Sequence, residues 1–210
     1  MVATSFLGLA EAAEQVVASA EVAAAWDEAS ALTGYTVGGL AGHLARAVLT
    51  VPRYLESARS SQGPTVDAAG YFARVLGDHD PVASELHAGV RSRSVAEAEE
   101  GPVALVSRMR EARQQLAATL DAALLARHVQ VLQGLEMTVS GYLETRLVEL
   151  VIHLDDLTVS VGRELPTVPP EALACVAGVL GRTAGLRAGG WATIRSLSRA
   201  ERHPGAVRAF

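Results

Sequence analysis

The stretch that decides the fold is Arg146-Leu147-Val148-Glu149-Leu150-Val151-Ile152-His153-Leu154-Asp155-Asp156. At about 100° per residue, Arg146, Glu149, His153 and Asp156 fall within an arc of roughly 80° on one helix face. The rest of the segment is rich in Leu, Val and Ile. Burying four polar groups unpaired would cost several kcal/mol. They must therefore satisfy one another or hold something. The same periodicity predicts a helix over 138–162, ending at Gly162.

Working outward, amphipathic helices are expected over 4–29, 37–58 and 102–127. Thr36 is the N-cap expected for the second. Pro52 kinks that helix or ends it early. Gly101-Pro102 opens the third, with proline where its missing N–H costs little. Between 67 and 100 the pattern weakens to one or two short helices, broken near Gly77–Pro81. Val129-Gln130-Val131-Leu132 is a connector or a stray strand. Two further helices, about 171–186 and 191–200, follow the rigid loop Leu165–Pro170. Four long helices with long connections, short C-terminal helices and no convincing sheet define an all-α four-helix bundle. Residues 1–210 read as a single domain, since no stretch has the length of a free linker.

Glu149 and His153, four residues apart, present a carboxylate and an imidazole to one point. His43, in the small-residue run Gly38-Gly39-Leu40-Ala41-Gly42-His43, is the best third ligand. Two His and one Glu suit Zn²⁺ with a fourth position open; Fe²⁺ and Ni²⁺ stay open, because ligand type alone does not choose. The competing reading is a core histidine with an ordinary hydrogen bond and a plain Glu–His ion pair. Arg146 is the candidate catalytic side chain, anchoring Glu149 or an anionic substrate. Asp156 reads either as a group that holds a ligand from behind or, ahead of that, as a structural salt-bridge residue, and Asp155 as a solvated one.

Composition narrows the class. The net charge is -5, with 18 basic and 23 acidic residues, which argues against a nucleic-acid partner. One cysteine excludes an internal disulfide framework. No apolar run approaches the roughly 18 residues of a membrane span. The N-terminus lacks the basic region of a signal peptide, so a cytoplasmic location is expected. Every basic residue is Arg, and there is no Lys and no Asn. That usage fits a GC-rich genome. A homodimer is compatible with all of this.

Two segments resemble a known family. Leu32-Thr33-Gly34-Tyr35-Thr36-Val37-Gly38-Gly39-Leu40-Ala41-Gly42-His43-Leu44-Ala45-Arg46 is similar to the first motif of the mycothiol-dependent maleylpyruvate isomerases, within the DinB-like superfamily. Arg146, Glu149, His153, Asp156 and Leu157 keep the spacing of its second motif, and Ser196–Arg202 resembles the end of its N-terminal domain. Tyr35 stands where the family has Trp. The resemblance implies a DinB-like bundle binding Zn²⁺ through His43, Glu149 and His153, with mycothiol as cosubstrate and a small electrophile as substrate. The isomerases' separate C-terminal domain has no counterpart before Phe210, so S-transfer is expected ahead of cis–trans isomerisation. The alternative is a non-enzymatic metal- or ligand-binding bundle with an accessory role.

Other polar residues carry less. Cys175, on an apolar helix, is expected in the core. His79 reads as an exposed loop residue, and His87, His128 and His203 lack partners at ligand spacing. Ser140 is expected as a cap, and Trp26 and Trp191 as core or bundle-end residues.

Overall fold

The computed structural model describes residues 1–61, 63–75, 85–131, 134–198 and 201. Among them the chain forms α1 (Val2–Val17), α2 (Ala20–Ala24), α3 (Val37–Leu49), α4 (Val51–Glu56), α5 (Ala68–Val75), α6 (Glu85–Ala98), α7 (Gly101–Thr119) and α8 (Ala122–Leu125). A hairpin of β1 (His128–Gln130) and β2 (Glu136–Thr138) follows, then α9 (Val139–Val161), α10 (Pro170–Ala188) and α11 (Gly190–Ser198). Helices α1, α3, α7 and α9 pack around one another as the bundle expected from sequence. Phe6, Leu9, Leu40, Leu44, Met109 and Leu147 are among the side chains filling the space between them, all essentially inaccessible to solvent. Each such burial contributes about 1.5–3 kcal/mol. No helix among the described residues is long and apolar enough to cross a membrane.

The helix boundaries have local causes. Thr36 accepts the Gly39 N–H at 3.0 Å and starts α3; Thr138 accepts the Gly141 N–H at 3.0 Å and starts α9. The cap of α9 is thus Thr138, not Ser140. Gly162 closes α9 in the left-handed region, at φ 66°, where a Cβ would be strained. The helix expected over 4–29 ends at Val17, and Ser19 caps the short α2 by accepting from Val22. The one expected over 37–58 divides at Thr50, because Pro52 has no N–H and starts α4 in its first turn. The one expected over 102–127 stops at Thr119; Leu120 is extended and Asp121 caps α8 by accepting the Leu124 N–H at 2.7 Å. The expected break near Gly77–Pro81 lies outside the described residues. The stretch expected as a connector or a stray strand contributes Val129 and Gln130 to β1, paired antiparallel with β2. Trp191, expected in the core or at a bundle end, is exposed at the start of α11.

Two buried carboxylates tie elements together. Glu14 on α1 accepts from Arg110 at 2.7 Å and Arg113 at 3.1 Å, both on α7. Glu136 on β2 accepts from Arg59 at 2.9 Å, Ser61 at 3.0 Å and the Gly63 N–H at 3.2 Å, holding the 59–63 loop on the hairpin.

Helix α6 is longer than expected and lies against α3 on the outside of the bundle. The two helices touch at Gly42, where a Cβ would sit 2.1 Å from the Ser94 carbonyl oxygen. Backbone cannot yield that much, so Gly42→Ala must push α6 away from α3. It is expected to cost about 1–3 kcal/mol, read as a lowered thermal midpoint, because overpacking at a rigid contact forces a backbone shift.

Candidate metal centre

Along α9, Tyr142, Arg146, Glu149, His153 and Asp156 follow one another at helical spacing and form a continuous stripe. His43, Arg46 and Thr50 do the same on α3. The two stripes face each other with the helices antiparallel. His43 meets His153 at one end, Nε2 to Nε2 at 3.0 Å, and Thr50 meets Tyr142 at the other, hydroxyl to hydroxyl at 3.3 Å.

At the first end Glu149 Oε2 lies 3.3 Å from His153 Nε2 and 3.8 Å from His43 Nε2. One ligand atom from each of the three lies within 4.8 Å of the others. Both imidazoles are oriented from outside. Ser94 Oγ donates to the Val90 carbonyl at 2.8 Å, so it accepts from His43 Nδ1 at 3.0 Å. His153 Nδ1 donates to Asp156 Oδ2 at 3.0 Å. The two Nε2 atoms are therefore turned inward with the carboxylate, the arrangement of metal-ligating histidines whose outer N–H groups are held by a second group. The separations suit neighbouring ligands on one ion with bonds of about 2.0–2.2 Å. The Glu149 side chain is 26% exposed, so a fourth position can be reached from solvent.

Without an ion, three inward-facing acceptors need a proton among them. Burial, then the charge on His153, pushes His43 down to about 4. Burial opposes charge on His153 as well, but its hydrogen bonds to Asp156 and Glu149 outweigh that and lift it to about 9. Burial would raise Glu149, yet the His153 hydrogen bond and the Arg146 charge hold it at about 2. The proton sits on His153, between a carboxylate and a neutral His43.

The structure brings His43, Glu149 and His153 together and turns Arg146 elsewhere. Among the described residues no carboxylate lies within ion-pair distance of Arg146; its guanidinium carbon stands 5.0 Å from the Tyr142 ring centre, and its Nε donates to Thr145 Oγ1 at 3.1 Å. Asp156 is the ion-pair partner of His153 and holds its Nδ1 from behind, while Asp155 is exposed as expected. Cys175 is half-buried, and burial pushes its thiol up. His128 lies in β1 away from the centre. His79, His203 and the His87 side chain lie outside the described residues. Sequence reasoning missed Ser94, fully buried on a helix without an apolar stripe, and Tyr54, Tyr71 and Tyr142. The Tyr142–Arg146 spacing of four was the one available signal.

Compared with known families, residues 7–158 match the mycothiol maleylpyruvate isomerase N-terminal domain. No curated protein and no solved structure matches the chain.

Two outcomes follow from the geometry. Ser94→Ala, which frees the His43 ring to turn, is expected to weaken divalent-metal affinity about 10- to 100-fold in a chelator competition. Affinity is also expected to rise with pH. His153 keeps its proton to about 9, against an ordinary 6.5, and an incoming ion must displace it. The same competition should show about a tenfold gain per pH unit up to that value and a plateau above it. His43, already neutral, adds no slope at these pH values.

Proposed function

Since the chain belongs to the mycothiol maleylpyruvate isomerase N-terminal domain family, we propose that it is a metal-dependent enzyme activating a low-molecular-weight thiol, mycothiol, for S-transfer to a small electrophile. The observation that carries this reading is the convergence of His43, Glu149 and His153, with both imidazoles held from behind by Ser94 and Asp156. These three would hold Zn²⁺. When bound, the ion supplies an open fourth position at which a thiol, ordinarily of pKa about 8.5, loses its proton near neutral pH.

The chain's own residues do the rest. Ser94 and Asp156 fix the imidazole planes, so the donor set needs little rearrangement to be occupied. The partial exposure of Glu149 leaves the approach open to a small molecule. The Tyr35 ring, 5.5 Å from that of His43, walls one side of the centre. Packing of α10 on α1, α5 and α9 supports treating the described residues as one domain.

The reading is tested by elemental analysis and thiol titration together. Purified protein is expected to hold about one zinc per chain, with iron and nickel measured alongside. Glu149→Ala and His153→Ala should each lose it. Mycothiol added to the zinc-loaded protein should release a proton and be consumed by an electrophile. Recovery of an isomerised electrophile with mycothiol unchanged would replace S-transfer by isomerisation. Intact zinc with neither proton release nor turnover would leave a metal-binding bundle without this chemistry.

A further inference from the structure

A surface helix ordinarily turns its apolar stripe to the core and its polar side to water. Helix α11 does the reverse. Ala192, Thr193 and Ser196 are its least exposed positions and mark the side packed on α10. At about 100° per residue, Trp191, Ile194 and Leu197 share the opposite side, within an arc of roughly 120°. They are 73%, 54% and 79% exposed. Leu186, in the last turn of α10, is exposed as well. The hydroxyls of α11 do not wet this ridge, because Thr193 donates to the Gly189 carbonyl at 3.2 Å and Ser198 to the Ile194 carbonyl at 2.7 Å. Apolar residues scattered singly over a surface are ordinary; a contiguous ridge headed by one of the chain's two tryptophans is not.

The charge around the ridge has one sign. The chain as a whole is acidic, at -5, yet from Ala172 to Ala200 it carries four Arg and no acidic residue. Arg195 lies exposed on α11, four residues after Trp191 and so beside it on the helix surface. Arg182 is answered only at 3.8 Å by Asp67 and 4.0 Å by Glu144. A basic and apolar ridge on an acidic protein narrows the choice of partner. A second copy meeting it about a two-fold axis would bring the same basic patch against itself. A nucleic acid would match the charge and leave the apolar side chains in water.

We propose that α11 docks the protein on an anionic lipid surface, with Trp191, Ile194 and Leu197 entering the headgroup boundary and Arg195 staying among the phosphates. A helix with Arg beside a Trp, Ile and Leu face lies in the plane of such a surface. Tryptophan suits the boundary, since its ring is apolar while its N–H stays hydrated. The ridge is convex, which fits a fluid surface that closes around it and needs no groove. Gly189, at φ 92°, turns the chain between α10 and α11 and sets the ridge on the outside of the bundle. The acidic remainder of the chain is repelled by the same lipids, so the molecule settles with this face down. The contact is peripheral, as no helix among the described residues can cross a bilayer. It also lies beyond residues 7–158, which match the family domain, and is independent of the metal centre.

The test is flotation of the full chain with vesicles of equal parts phosphatidylglycerol and phosphatidylcholine, and with vesicles of phosphatidylcholine alone, at low and high salt. Wild type should bind the anionic vesicles at least about tenfold more tightly than the neutral ones, and high salt should remove most of that difference. Trp191→Ser should weaken binding at least about tenfold, and Arg195→Gln about fivefold. Both positions are exposed, so the variants should keep the thermal midpoint of wild type. On anionic vesicles the tryptophan emission should shift to the blue in wild type and not in Trp191→Phe, which leaves only Trp26 to emit. No affinity of wild type for anionic vesicles, equal affinity for neutral ones, or unchanged affinity in both variants would overturn the proposal. A polyglutamate peptide bound in place of vesicles would overturn it in favour of an acidic protein partner. Dimerisation lost in Trp191→Ser, without vesicle binding, would overturn it in favour of a second copy.

Discussion

The structure turns on one contact, in which His43 Nε2, His153 Nε2 and Glu149 Oε2 are pressed together across the α3–α9 seam. Three electron-rich atoms this close repel unless something positive lies among them. A proton on His153 serves in the free protein; under the proposed function a divalent ion takes its place and would bind all three at once. The surroundings are arranged for that demand. Ser94 and Asp156 occupy the outer nitrogens, which denies the imidazoles any other orientation. The Gly42 contact brings α6 near enough for Ser94 to reach His43 at all. Fold and site are thus linked through backbone proximity as much as through the apolar core.

The sequence carried the triad because a helix imposes its own geometry. Glu149 and His153 had to share a face of α9, and that helix runs within one residue of where its periodicity and Gly162 put it. His43 was legible for another reason: the small residues before it announce a close helix approach, and Thr36 starts α3 as its hydroxyl predicts. Helix ends set by capping alone were harder to read. Ser19 and Asp121 each begin a new helical turn, at positions where apolar periodicity runs on unbroken.

What stayed hidden has a common physical origin. Helix α6 packs through Ser94 and Ala98 against a glycine, so it needs no apolar stripe and offers none to be recognised. Tyr54 and Tyr71 come from separate short helices, and only tertiary packing brings them to Tyr142 and Arg146. The orientation of Arg146 was also not readable. One turn from Glu149, it had two available partners, a carboxylate and a ring. Thr145, directly before it and fully buried, settles the choice by taking its Nε.

The seam therefore has two ends of opposite character. Around His43, Glu149 and His153, acceptors converge and call for a cation. Around Arg146, a fixed cation rests on an aromatic face. Arginine suits the second role where lysine would not. Its flat face rests on Tyr142 while its edge stays free, whereas an ammonium presents a point charge with no face to seat. The two ends also support each other electrostatically. The Arg146 charge helps hold Glu149 ionised, and an ionised Glu149 is what the cation site requires.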